Sequence, residues 1–226
     1  MMENSFSKVA SLIGDPVRSK IMWALIDGKA YTATELAMYA ETTAPNISMH
    51  LNKLVNADLL AVEKQGRHCY YTYSRHEIAY AIEALANLIP PIDNTIATGP
   101  AEQPVRFCRT CYNHLAGKVG VMLADSLLAQ GLVIKTETDF EVTARGEVFF
   151  KALAIDVDNL RGQKRSFAKA CLDWSERRHH IAGALGTALL QQMLTNGWIR
   201  RTENSRAIVI TGKGRQALYD LLKLEV

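Results

Sequence analysis

The stretch NISMHLNKLVNADLLAVEKQGRHCYYTYS, residues 46 to 74, changes its periodicity halfway along. In its first part Ile47, Leu51, Leu54 and Val55 recur at helical spacing, which turns Asn46, Ser48, Met49, Asn52 and Lys53 to the other side. After Ala57-Asp58-Leu59 the residues become β-branched and aromatic around Gln65-Gly66, the pattern of two short strands and a tight turn. The segment predicts an amphipathic helix followed by a hairpin whose tip carries Lys64 and Arg67.

Reading outward, Phe6, Val9, Ala10 and Ile13 make one helical stripe, and Gly14-Asp15-Pro16 breaks it. A second helix from Pro16 to Ile26 stops at Asp27-Gly28. Thr34 is read as the cap of a short helix through Met38, and Glu41-Thr42-Thr43 opens the helix of the quoted stretch. A closing helix from Arg75 to Ile89 carries Ile78, Ile82, Leu85 and Ile89 on one side. Helix, helix, short helix, capped helix, hairpin and helix is the order of a winged helix-turn-helix domain. In that design the fourth helix enters the DNA major groove and the hairpin tip touches the flanking backbone.

The stretches GDPVRSKIMWAL (residues 14 to 25) and 46 to 74 resemble the arsenic-repressor (ArsR/SmtB) family of bacterial transcriptional repressors. The family's Val-Ser-x-His-Leu-x-x-Leu core reads here as Ile47-Ser48-Met49-His50-Leu51-Asn52-Lys53-Leu54. Its Ala-Gly-Leu turn reads as Ala57-Asp58-Leu59, and its Gly-Arg wing as Gly66-Arg67. The resemblance covers about the first 90 residues. It implies promoter DNA as partner, a homodimer closed by the first and last helices of the domain, and repression relieved by an effector. It also implies thiols in the helix before the recognition helix, or Asp and His on the last helix. Here TELAMYA (residues 34 to 40) has no thiol or imidazole, and the last helix offers only adjacent His76 and Glu77.

Thr43, Asn46, Ser48, His50, Lys53, Lys64 and Arg67 are the candidate DNA-contacting residues, with His50 read more as a structural residue beside the backbone than as a base reader. Arg67 is the best single phosphate contact, because a guanidinium presents a fork of donors. Residues 1–90 hold 8 Lys+Arg against 9 Asp+Glu, so this part has no broad positive field and must gather its cations locally.

The whole chain has 226 residues, 48% apolar and 22% charged, and a net charge of +3, values that fit one or two globular domains. The positive excess lies in residues 106–226, with 18 Lys+Arg against 12 Asp+Glu. No run is long and apolar enough to span a membrane, and four cysteines fit a reducing compartment, so a cytoplasmic protein is expected. The Pro-rich stretch PPIDNTIATGPAEQP marks a boundary. The expected organisation is a winged helix-turn-helix in residues 1–89, a linker in 90–105 and a sensing or dimerisation domain in 106–226. The fold class is mainly α with small β-hairpins, the second domain being α+β and built of two helix-hairpin repeats.

Those repeats are read at about 112–152 and 178–222. His114 to Gly131 and His180 to Gly197 both span 17 positions, with shared His, Ala and Gly residues at the start and Gly followed by apolar residues at the end. His114 and His180 then have a packing explanation. Only CRTC, residues 108 to 111, looks unmatched in the second copy. Cys108, Cys111 and His114 are spaced i, i+3, i+6, one sector of a helix, and Cys171 and His180 join them if the repeats pair. Thiols and imidazoles at this spacing suit zinc or another thiophilic metal, or a reversible dithiol at Cys108 and Cys111. Plain packing and a pocket for an anionic effector near Arg106, Arg109, Arg177 and Arg178 are the competing readings. DNA binding itself requires no cofactor.

No phosphate-binding loop, His-Glu-x-x-His or Gly-x-Ser-x-Gly motif is present, so an enzyme is not expected. The contrasting alternative is a thiol-dependent enzyme or metal-binding protein using Cys108, Cys111 and His114.

Overall fold

Gly14-Asp15-Pro16 ends one helix and begins another. In the computed structural model, which describes residues 2–89 and 103–226, α1 (Met2–Ile13) stops there and α2 (Pro16–Ala24) starts. The Asp15 carboxylate accepts from the Arg18 amide at 3.0 Å, and Pro16 sits in the first turn, where no N–H partner is required. A 3₁₀ turn (Leu25–Asp27) leads to β1 (Tyr31–Thr32), α3 (Ala33–Tyr39), α4 (Ala44–Asn56), β2 (Leu60–Gln65), β3 (His68–Tyr73) and α5 (His76–Ala86). These elements make up the first of two compact units, Met1–Ala86.

Several boundaries differ from the sequence reading. The cap of α3 is Thr32 rather than Thr34. The Thr32 hydroxyl accepts from the Glu35 amide while the Glu35 carboxylate accepts from the Thr32 amide, a reciprocal capping box that Thr34 has no acidic residue to complete. Strand β1 extends the hairpin to three strands in the order β1-β3-β2, with Tyr31 opposite Tyr71. The closing helix is shorter at both ends than Arg75 to Ile89. After α4, Asp58 adopts a left-handed φ of 55° where the resembled family has glycine. Its amide and that of Leu59 then donate to the Val55 and Leu54 carbonyls and end the helix. Residues 90–102 of the expected linker lie outside the described residues. Residues 103–105 belong to a helix, α6 (Gln103–Phe107), and not to an extended segment.

The second unit, Asn87–Val226, continues with β4 (Arg109–Cys111), β5 (His114–Ala116), α7 (Gly117–Ala129), β6 (Val133–Lys135), β7 (Phe140–Val142) and α8 (Ala144–Ala152). A short helix α9 (Val157–Arg161) is followed by β8 (Ala170–Leu172), β9 (His179–Ile181), α10 (Gly183–Thr195), β10 (Ile199–Arg201), β11 (Ile208–Ile210) and α11 (Gly212–Leu222). The chain thus runs twice through hairpin, helix, hairpin, helix. The order corrects the expectation that Cys108, Cys111 and His114 share a helical face. His114 and His180 both lie in strands, and the helices begin three residues later.

The two passes interlock. Helix α7 packs on β9 of the second pass, and α10 packs on β5 of the first. The Phe140 amide donates to the Ala168 carbonyl at 2.6 Å, and the Ile208 amide donates to the Cys108 carbonyl at 2.9 Å, so each outer hairpin is bonded to the other half. Leu123, Leu127, Phe140, Phe150, Leu185 and Leu189 fill the single apolar core between them.

Gly120 and Gly186 let the two helices sit close on the inner hairpins. A Cβ on Gly186 would lie 2.3 Å from the Ile181 carbonyl oxygen and 3.0 Å from His114 Cβ, and one on Gly120 would lie 2.7 Å from the Leu115 carbonyl oxygen. Gly186→Ala is expected to destabilise the protein by about 1–3 kcal/mol through overpacking. Gly212→Ala, where a Cβ meets nothing within 4 Å, should be neutral or stabilising by up to about 1 kcal/mol. Denaturant titration of the two variants checks the contrast.

Candidate nucleic-acid interface and a buried thiol–imidazole cluster

Helix α4 buries Ile47, His50, Leu51 and Leu54 and leaves Ser48, Met49, Asn52 and Lys53 exposed. Val55, expected inward, is only partly covered, and His50 takes the fourth inward place. The residue is 6% exposed, with Nδ1 3.5 Å from both the Arg18 guanidinium and the Asp15 carboxylate. Arg18 also donates to the Leu12 and Ser11 carbonyls at 2.6 and 3.0 Å, which fastens the end of α1 to the same node. The backbone hydrogen bond from Arg18 holds the Asp15 carboxyl below the usual carboxylate range, with the Arg18 charge adding to it. His50 is therefore removed from the candidate DNA contacts, because an enclosed ring engaged with Arg18 and Asp15 has no path to a base edge.

Thr43 caps α4 by position, yet its hydroxyl makes no cap hydrogen bond and is exposed. The Ser48 hydroxyl donates back to the Ala44 carbonyl at 2.9 Å, and the Asn46 amide donates to the Thr42 hydroxyl at 2.6 Å. Asn46 is half-buried, so its side chain is committed to the turn before the helix. Lys53, Lys64 and Arg67 are exposed, with no ion pair among the described residues. Gln65 pairs with His68 across the wing tip, leaving Gly66 and Arg67 as the two turn residues.

In the second unit each inner hairpin carries one cross-strand Cys–His pair: Cys111 opposite His114 and Cys171 opposite His180. The interlocked halves bring the pairs together. One ligand-type atom from each of the four residues lies within 4.8 Å of every other, and the two Nε2 atoms are 3.0 Å apart. Cys111, His114 and His180 are buried and Cys171 is half-buried. Cys108 is outside this group. Cys108 lies in the bend that ends α6, its amide donating to the Pro104 carbonyl at 3.0 Å, and enters the apolar core, while Cys111 in β4 faces the histidines. Burial pushes the Cys108 thiol up to about 12. No disulfide joins any of the four cysteines.

Asp173, which the sequence reading did not single out, organises the surroundings. Its carboxylate lies 3.2 Å from His180 Nδ1, outside strict hydrogen-bond alignment, and 3.1 Å from the Arg109 guanidinium. It also accepts from the Gly117 amide at 2.7 Å and from the Ser175 amide and hydroxyl at 2.9 and 2.7 Å. Burial raises the carboxyl, but His180, Arg109 and Ser175 outweigh it and hold the group far below the ordinary range. For His180 burial lowers the imidazole, and Asp173 and Cys111 overcome this and raise it. The arginines expected to flank an anion pocket are engaged internally. Arg109 is sealed against Asp173, Arg178 meets Asp125 at 2.7 Å, and Arg177 donates to the Asn87 carbonyl. Arg106 and Arg109 both lie about 5 Å from the Trp174 ring centre.

A polar-faced helix set beside a three-stranded wing defines the class of the first unit, a winged helix-turn-helix. A family model described as "Bacterial regulatory protein, arsR family" matches residues 15–62. The chain is 44% identical over 226 residues, all of both chains, to the uncharacterized HTH-type transcriptional regulator YdfF of Bacillus subtilis (strain 168). It is 31% identical over 90 residues to the transcriptional repressor SdpR of the same organism, covering 40% of this chain and 99% of that one. Among solved structures, HlyU from Vibrio cholerae N16961 matches 39% of this chain and 96% of its own, at 24% identity and a TM-score of 0.36. The chain belongs to the arsR family of bacterial regulatory proteins. It is a transcriptional regulator and not an enzyme, so the thiol-dependent enzyme reading is set aside.

Because Cys108 is sealed in the core, an alkylating reagent is expected to modify it only after unfolding, whereas half-buried Cys69 in the wing reacts in the native chain. Peptide mass spectrometry after native labelling checks this, and equal rates at the two positions would contradict it.

Proposed function

We propose that the protein is a repressor that binds promoter DNA as a homodimer and is released by an effector acting through its second unit. The observation that carries the DNA reading is the outward face of α4. Ser48, Asn52 and Lys53 are left uncovered there, and the wing of the same unit presents Lys64 and Arg67 without internal ion partners among the described residues. In this reading Thr43 and Ser48 lie along the groove, Asn46 orders the helix entrance, and Lys53, Lys64 and Arg67 hold phosphates. The name of SdpR, a repressor matching nearly its whole length to this unit, supports repression rather than activation.

Helix α1 supports the homodimer. It buries none of its residues in the single chain, although Phe6 is 74% exposed and Val9 lies on the same stripe. An amphipathic helix with a bare apolar side is completed by a second copy of itself. For the second unit we infer a duplication, since its two passes share the element order and their matched histidines. An input through this unit fits the lack of thiols and imidazoles in residues 34 to 40. Its chemistry is thiol oxidation, a metal ion or a small molecule.

Binding to the protein's own promoter is the test. Arg67→Ala and Lys64→Ala are expected to weaken binding to all sequences alike. Each should reduce the dependence of log K on log salt by about 0.9 for every phosphate it leaves unneutralised. Phe6→Glu should shift the protein to a monomer in sedimentation and abolish high-affinity binding. Unchanged salt slopes in both wing variants would remove the wing from the interface, and a dimeric Phe6→Glu protein would remove α1 from the dimer interface.

A further inference from the structure

The second unit holds a grouping that DNA binding does not use. Two thiols and two imidazoles, contributed by two hairpins that are distant in sequence, face one another inside the protein. We propose that Cys111, His114, Cys171 and His180 form a closed tetrahedral site for a divalent cation of the zinc type, fastening hairpin β4–β5 to hairpin β8–β9. The inference concerns the second unit alone and is independent of how the first unit meets DNA.

The geometry is close to what such an ion demands. Bond lengths of about 2.0 Å to nitrogen and about 2.3 Å to sulfur give tetrahedral edges of about 3.3 Å between nitrogens and about 3.8 Å between sulfurs. The Nε2 atoms are already 3.0 Å apart, and the whole set fits within 4.8 Å, so small side-chain movements complete the tetrahedron. Asp173 lies 3.2 Å from His180 Nδ1, where its negative charge favours the ring proton and leaves Nε2 for the metal. A carboxylate behind a ligating histidine is the usual outer support of such sites. The donor set selects as well, since two thiolates with two imidazoles suit a soft or borderline ion in tetrahedral geometry, not magnesium or calcium.

Charge and burial agree with this assignment. On binding, the two thiol protons leave to solvent and both imidazoles stay neutral, so the ion and its four ligands carry no net charge. A neutral assembly suits an enclosed position, and four protein ligands leave no open place for water or substrate. The site is therefore structural in type. It takes its ligands in matching pairs, Cys111 with His114 and Cys171 with His180, one pair from each half of the unit.

The full chain, purified without chelator, tests this by elemental analysis and by cobalt(II) replacement under reducing conditions. The expected result is a single zinc ion per chain, with thiolate-to-cobalt bands in the near ultraviolet and strong visible bands of tetrahedral cobalt. Cys111→Ser/Cys171→Ser should lose both metal and bands, and Cys69→Ser should keep them. Because the double variant can fail to fold, the wild-type chain supplies a second reading. Stripping with chelator should lower its thermal midpoint, and zinc but not magnesium should restore it. A folded wild-type chain that contains no metal and develops no cobalt bands overturns the proposal. So does a double variant that binds cobalt as wild type does. Neither outcome bears on promoter binding, which is measured separately.

Discussion

The contact between His114 and His180 exists because two helices approach their opposite strands without side chains in between. Gly186 lies against the β-carbon of His114, and Gly120 faces that of His180 at the equivalent place. A Cβ at Gly186 would crowd His114 and the Ile181 carbonyl, and one at Gly120 would crowd the Leu115 carbonyl, so a larger residue at either place disturbs how α10 or α7 sits on the inner hairpins. Much of the second unit follows from this approach. The shared core, the exchange of backbone hydrogen bonds between halves and the meeting of the two Cys–His pairs all require the same close packing.

In the first unit a polar node has the corresponding role. Asp15, Arg18 and His50 connect the end of α1, the start of α2 and the inner side of α4. Buried charges of this kind are weak contributors to net stability, but they tolerate few alternative arrangements, since breaking one leaves an uncompensated charge. The rotation of α4 about its axis is thereby constrained from within. That rotation decides which residues face outward, so a histidine enclosed in the protein bears on the surface offered by Ser48, Asn52 and Lys53.

Much of the first unit was legible in the sequence because its signals are local. The spacing of Ile47, Leu51 and Leu54, the break at Asp15-Pro16 and the turn at the wing tip each act within a few residues. The place of His50 was legible too: residues 47, 50, 51 and 54 follow i, i+3, i+4, i+7, and only its polar character favoured Val55 instead. The Cys–His grouping was harder for a geometric reason. Only two residues separate Cys111 from His114, while eight separate Cys171 from His180, so aligning the histidines leaves the cysteines out of step. Strand pairing restores the match that linear spacing hides. Reading Cys108 to His114 as one helix grouped Cys108 with its neighbours, whereas α6 ends just before Cys108 and a strand begins after it, which leaves Cys108 in the core. Asp173 offered no signal, since its role arises from partners such as Arg109 and Gly117, 64 and 56 residues away.

The crossed packing of the second unit also governs how it must fold. In a stacked repeat protein each module touches its neighbours, and order can spread from any one of them. Here the helix of each half rests on the strand of the other, and the paired histidines are 66 positions apart. Neither half has a complete core of its own, and the earliest stable species must already contain both. Such long-range closure makes assembly slow and all-or-none, because the entropy of bringing the ends together is spent before the contacts form. A chain cut between α8 and β8 is left with two incomplete surfaces and no independently folded module.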